Sequence, residues 1–263
     1  MEASLISVIV PVYNMAADGK LNFCLDSLIN QTVTDYEIIA VDDCSTDNSV
    51  EVIQGFVDKD PRIKLIQLTE NSGAAVARNK AIEAAAGRFI AFLDSDDLWM
   101  PNKLEKQVQF MLDQNIAFSF SAYEKIDEKG VPFDIVSVPE KINYKQLLKT
   151  NVIGCLSAMY DVEKLGKVYM PVNTKREDFA TWLAILKQVD YAYGMPDVLA
   201  QYRVYASQSS AKKTKMAKEN WRLYRDIEQL GVFKSAYYFA HYAVRGVLRT
   251  KFPNLARAVG VLD

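Results

Sequence analysis

The sequence predicts an α/β fold: a mostly parallel sheet with helices packed on both of its faces. Short β-branched runs alternate with amphipathic helical stretches at regular spacing through the first part of the chain. Two of those runs end in acid, at Asp42-Asp43 and at Asp94-Ser95-Asp96-Asp97. The connections carry turn and capping residues rather than a continued apolar pattern.

Ile6-Ser7-Val8-Ile9-Val10, closed by Pro11, reads as a buried strand. A helix from about Leu21 to Gln31 gathers Phe23, Leu25, Leu28 and Ile29 on one side. Tyr36 to Val41 is the second strand, and Cys44-Ser45-Thr46-Asp47-Asn48 opens a helix carrying Val50, Val52, Ile53 and Phe56. Asp47 reads as its cap. Ile63-Lys64-Leu65-Ile66 is the third strand. The turn Asn71-Ser72-Gly73 leads into an alanine-rich helix from Ala74 to Ala86, and Phe89 to Leu93 is the fourth strand. Beyond Pro101 the pattern gives a helix over 103–115, a strand over 117–121 and a polar turn at 128–130. A helix containing Asp178 to Leu183 and a strand near 199–202 follow. Next come a flexible loop over 207–215 and a helical tail from Ala217, interrupted near Gly231 and at Pro253. In sheets of this kind ligands lie beyond the carboxyl ends of the strands, so both acidic clusters face one crevice.

Composition narrows the chemistry. Three cysteines with no zinc spacing and a single histidine, His241, exclude a disulfide framework and any histidine-pair mechanism. No apolar run approaches the ~18–20 residues of a membrane span. Met1-Glu2-Ala3-Ser4 lacks the basic start of a signal peptide, which points to a cytoplasmic protein. The formal net charge of −2 hides a split: residues 212–263 carry +7 and the preceding residues −9. That asymmetry fits an acidic catalytic body with a basic tail facing an anionic partner; a solvated helical face is the other reading. Between Gln229 and Leu262 there is no acidic residue, while Lys234, Arg245, Arg249, Lys251 and Arg257 lie among aromatic and aliphatic side chains. An anionic membrane surface suits that mixture. Packing on the body or a homodimer are the alternatives, and nothing points to nucleic acid.

Asp42, Asp43, Asp94 and Asp96 in one crevice repel unless a cation sits among them. A hard divalent cation, Mg²⁺ or Mn²⁺, takes such oxygen ligands and bridges them to phosphate. Pro11-Val12-Tyr13-Asn14 has no glycine, which excludes a dinucleotide-binding turn, and no P-loop occurs. A phospho-acceptor receiver module remains as the signalling alternative.

Val8-Ile9-Val10-Pro11-Val12-Tyr13-Asn14, Val41-Asp42-Asp43-Cys44-Ser45-Thr46-Asp47, Asn71-Ser72-Gly73 through Ala77-Arg78-Asn79, and Phe92-Leu93-Asp94-Ser95-Asp96-Asp97 follow one another in order. Together they resemble family 2 glycosyltransferases of the bacterial polysaccharide, O-antigen or capsule type, inverting enzymes of the GT-A fold. The resemblance is strong over residues 5–110 and returns at Arg176-Glu177-Asp178 and Gln201-Tyr202-Arg203. It implies a nucleotide-sugar donor, UDP-linked, and a glycan or lipid-linked saccharide acceptor. Pro11, Val12, Tyr13 and Asn14 form the opening loop, with Tyr13 against the uracil and Asp42 accepting its imide N–H. Arg78 supplies positive charge near the nucleotide, Asp94 reaches the ribose, Ser95 is among the nucleotide-binding residues, and Asp96 binds the metal. Asp178 is the implied base, with Glu177 as the fallback, and Trp182 stacks on the acceptor sugar. Relatives often carry histidine where this chain has Tyr205, so Tyr205, Ser207 and Ser209 are left to close over the diphosphate beside Arg203. The implied organisation is 1–97 for the nucleotide-sugar half, 98–211 for the acceptor half of the same domain, and 212–263 for a basic helical tail. A catalytically inactive sugar-binding relative is the other reading; intact Asp96 and Asp178 argue against it.

Overall fold

Uninterrupted burial of β-branched residues builds the middle of the sheet. In the computed structural model, which describes residues 5–205 and 213–251, β1 (Ile6–Val12) and β2 (Tyr36–Asp42) are buried at every position. With β3 (Ile63–Gln67) and β4 (Phe89–Phe92) they form a parallel run in the order β3-β2-β1-β4. The chain thus winds outward from β1 to β3, then crosses back to place β4 on the other side of β1. That reversal makes the β1/β4 boundary a switch point, where a crevice opens beyond the strand ends.

The sheet continues across β4 into the second half, where the pairing becomes mixed. After the two-residue β5 (Leu98–Trp99) come β6 (Phe118–Ile126), β7 (Pro132–Val136), β8 (Lys141–Ile142), β9 (Met159–Asp161) and β10 (Ala192–Arg203). The full order is β3-β2-β1-β4-β9-β6-β10-β5, with β7 on β6 and β8 on β10. β9 is antiparallel to both β4 and β6, while β6 and β10 run parallel with register shifts between Met195 and Val198 and between Val198 and Ala200.

Helices cover both faces. On one side α1 (Lys20–Ile29), α2 (Ser49–Val57) and α4 (Lys103–Asp113) close a core around Val8, Val10, Ile38 and Ala40. On the other, α3 (Ala74–Ala84), α5 (Tyr144–Lys149) and α7 (Glu177–Ile185) close a second core around Ile9, Ile39, Phe92 and Phe118. The alternation of strand side chains assigns successive residues to these two cores. The short α6 (Val162–Leu165) leads from β9 toward α7. The tail begins with α8 (Lys213–Arg222), passes through a π-helical turn at Leu223–Ile227, and ends in α9 (Val232–Lys251).

The observed elements depart from the expected ones in the second half. The strand expected over 117–121 runs on to Ile126, and the one near 199–202 is the long β10. Lys213, expected in a loop, already lies in α8. The break near Gly231 is present between the π turn and α9; Ser207, Ser209, Pro253 and Arg257 lie outside the described residues.

Candidate active site

The crevice is assembled from loops that hydrogen-bond one another. Asn14, at φ 50°, follows β1, and Cys44, at φ 61°, follows β2. Left-handed backbone at non-glycine residues is held by its surroundings, and the partners are visible. The Asn14 side chain accepts from Thr46 N at 2.8 Å, and Asn14 N donates to Ser45 Oγ at 2.9 Å. Asp47, expected as the cap of α2, lies one residue before its N-cap Asn48; it accepts from Ser49 N and from Ala16 N, both at 3.0 Å, and so fastens the start of α2 to the opening loop. Asp43 is buried and spends both carboxylate oxygens on the turn before α3, accepting from Ser72 N at 2.8 Å and Gly73 N at 2.7 Å. Asp43 is therefore a loop fastener, not one of a cation-binding quartet.

Asp42 differs. Its Oδ2 accepts from Ser45 N at 3.0 Å, but its buried Oδ1 has no partner among the described residues. An unpaired buried carboxylate oxygen is costly unless a donor arrives from outside. Tyr13, next to the strand end, is 47% exposed and free to offer its ring. Pro11 and Val12 are buried ladder residues paired with Val41 and Asp42; they aim the loop.

Arg78 is expected near the nucleotide; the structure places it at the centre of the crevice, 5% exposed. Its Nη2 donates to Asp94 Oδ1 at 2.5 Å and its Nη1 to Glu177 Oε1 at 3.1 Å. One guanidinium thus ties the end of β4 to the start of α7. Asn79, the next residue on α3, exchanges hydrogen bonds of 2.8 and 2.7 Å with the Met170 backbone, fastening the segment that leads into α7. Burial, then the neighbouring Asp178, raises the Glu177 pKa. Among the described residues the Asp178 carboxylate is engaged in no hydrogen bond or ion pair. Burial pushes the Cys155 thiol pKa up, with the charges of Asp94, Asp178 and Glu177 adding to it and that of Arg78 opposing it. Nothing in the sequence singled out Cys155, because a lone cysteine in a short 3₁₀ turn carries no pattern.

After β4 the loop turns sharply, with Asp97 N donating to Asp94 O at 3.0 Å, and the Ser95 side chain is buried within it. Burial and the charge of Asp94 raise the Asp96 pKa. Asp97 is buried and accepts from Arg203 N at 2.8 Å. The Arg203 guanidinium is buried too, donating to the carbonyls of Asp96, Asp127 and Glu128 at 3.0–3.2 Å. Those bonds make Arg203 a brace for the acidic loop. The Tyr205 ring lies beside Asp96, and Lys20 Nζ sits 4.7 Å from that ring's centre. Lys20 was not singled out in the sequence, since a lysine opening a helix looks like any solvated charge.

Trp182 is corrected by the structure. It is fully buried, its ring 5.5 Å from Phe92 and 5.2 Å from Phe118, and presents no face to an acceptor sugar. It lies on the inward side of α7, one turn beyond Asp178.

A divalent cation fits the donor set. Asp96 offers hard carboxylate oxygen, and burial and the charge of Asp94 weigh against its own charge, a cost that a bound cation would relieve. No group of three or more His, Cys, Asp or Glu able to hold a metal occurs among the described residues. A bound metal would therefore share protein carboxylate with phosphate and water.

Residues 7–161 match the family described as "Glycosyl transferase family 2". The chain is 45% identical over 244 residues to the putative teichuronic acid biosynthesis glycosyltransferase TuaG of Bacillus subtilis (strain 168), covering 92% of this chain and 96% of that protein. It is 38% identical over 253 residues to the UDP-Glc:alpha-D-GlcNAc-diphosphoundecaprenol beta-1,3-glucosyltransferase WfgD of Escherichia coli, covering 96% and 97%. Among solved structures, that of S. aureus TarS 1-349 in complex with UDP-GlcNAc superimposes with a TM-score of 0.70 at 20% identity, over 95% of this chain and 74% of that one. These matches dispose of the receiver-module alternative.

Proposed function

Since the chain belongs to glycosyl transferase family 2 and is a glycosyltransferase, we propose that its crevice takes a UDP-sugar and passes the sugar, with inversion, to a lipid-linked glycan in the assembly of a bacterial surface polysaccharide. The observation that carries the donor reading is the orphaned Asp42 Oδ1 at the foot of an exposed Tyr13. Uracil brings a flat ring for Tyr13 and an imide N–H for Asp42. The relative WfgD supports both ends of the reaction, because its name specifies a UDP-glucose donor and a diphosphoundecaprenol-linked acceptor. A β-linkage formed from the α-linked glucose of UDP-glucose is an inversion.

In this reading Asp94 and Ser95 lie at the ribose and Asp96 holds a divalent cation. That cation, Mn²⁺ or Mg²⁺, supplies Lewis-acid neutralisation of the departing diphosphate. Tyr205 closes over the diphosphate, and Arg203 keeps the loop in place. Asp178 takes the acceptor hydroxyl's proton as the new C–O bond forms at the anomeric carbon and the bond to the diphosphate breaks. Glu177 is held by Arg78, whereas the Asp178 carboxylate has no such tie, which favours Asp178 as the base. Arg78 spans the donor and acceptor sides and fixes the distance between them.

A release assay over a panel of nucleotide sugars with Mn²⁺ tests the donor assignment. Slow release of UDP from one UDP-sugar is expected. Release confined to a purine nucleotide sugar would overturn the uracil site.

A further inference from the structure

The inner side of α9 is docked on the body. Ser235 is buried, Phe239 packs edge-on against Trp221 at 5.7 Å, and Tyr238 lies 6.3 Å from Tyr224, whose hydroxyl donates to Leu148 O at 2.6 Å. Most of the outer side is exposed. Phe233, Tyr237, Ala240, Val244 and Val247, spaced four and three apart, form one exposed stripe, with Phe233 93% exposed. From Phe233 to Val247 the stripe runs about 21 Å. A soluble protein rarely leaves so continuous an apolar face in water.

Charge selects the occupant. Lys234 and Arg245 run beside the stripe, Lys149 of α5 reaches to 5.9 Å from the Tyr237 ring, and Lys145 joins Lys234 in the groove between α5 and α9. No acidic residue lies between Gln229 and Leu262. A second copy of α9 would meet this positive flank with another, whereas anionic headgroups would neutralise it. No described helix is long and apolar enough to cross a membrane. An apolar stripe bordered by cations of one sign is the pattern of a helix lying in the headgroup layer. We propose that the outer face of α9 seats the enzyme on an anionic lipid bilayer, with the stripe in the interface and the lysine-lined groove against lipid phosphate. This rests on the lipid-linked acceptor proposed above, since α9 packs on α5, and α5 in turn on α7, whose first turn carries Glu177 and Asp178.

The test uses the full chain and vesicles of phosphatidylcholine with and without phosphatidylglycerol. Cosedimentation is expected with the anionic vesicles only, weakening as salt rises. A Phe233→Asp, Val244→Asp variant should bind them about tenfold less or weaker still. Its UDP-sugar hydrolysis should match the parent, which certifies the fold. Equal binding to both vesicle types, undiminished binding by the variant, or a parent dimer that the variant dissolves would each overturn the proposal. Absence of hydrolysis in the parent would strike instead at the donor reading, leaving vesicle binding as a separate result.

Discussion

Where the parallel strands begin, every buried polar group of one cluster is answered from within the fold. Glu37 accepts from Ser7 Oγ at 2.6 Å, from Lys64 Nζ at 2.7 Å and from Ala86 N at 2.7 Å, while Gly87 N donates to Ser7 Oγ at 2.8 Å. Where the same strands finish, the answers are incomplete. Among the described residues Asp42 keeps an orphaned oxygen, the charge of Asp94 weighs against that of Asp96, and the Asp178 carboxylate has no bonded partner. Both ends carry carboxylates, so the difference lies in who supplies their partners. At the first end it is the protein. At the second, in the function proposed above, a uracil N–H, a cation and an acceptor hydroxyl would complete the pairing, so changes at the first end should fall on stability and changes at the second on activity.

The sharpest break in that contrast is expected from Asp178→Asn. Turnover should fall by roughly 10²–10⁴, as for loss of a general base, with donor affinity and melting temperature unchanged. Steady-state kinetics with a lipid-linked acceptor check this; a larger loss from Glu177→Gln would reassign the base. Asp42→Asn comes next. Its side-chain oxygen can still accept from Ser45 N, but the charged acceptor for the imide is gone. UDP affinity should weaken about tenfold to a hundredfold in calorimetry, with little change in stability.

Changes at the other end should do the reverse. A Cβ on Gly87 would lie 2.6 Å from both Ile6 C and Ser7 N, so Gly87→Ala should cost about 1–3 kcal/mol in urea unfolding and leave UDP affinity alone. The smallest effect concerns pH. Burial works against the Glu37 charge, but hydrogen bonds from Lys64, Ser7 and Ala86 outweigh it and lower its pKa. The stability this provides is complete above the ordinary glutamate value of about 4.3 and is lost as pH falls through the lowered one. Glu37→Gln should flatten that acid-side decline in melting temperature.

The same contrast marks what the sequence made legible. β1, β2, β3 and β4 were readable because burial on both faces forces continuous β-branched runs, and the acids at their ends pointed to the crevice. β7 is largely exposed and β9 only three residues long, so neither carries a period, and their pairing is decided by the rest of the sheet. α5 did carry a signal, the Asn143–Gln146 capping box, in a helix of only six residues. Within the site, residue types were legible but allegiance was not. Asp42 and Asp43 are neighbours of the same type, yet one turns an oxygen to the crevice and the other spends both on backbone. Arg78 and Trp182 likewise sit on helices whose inward faces are set by partners distant in sequence.

In the proposed function the finishing end of the strands is completed by UDP and a divalent cation held through Asp96. Calorimetric titration of UDP into the protein, with Mn²⁺ and then with EDTA, and again for Asp96→Asn, tests it most directly. Binding is expected with Mn²⁺, strongly weakened by EDTA and equally weak in Asp96→Asn at either condition. UDP binding of the same strength with EDTA, or a variant that still gains affinity from Mn²⁺ as the parent does, would contradict it.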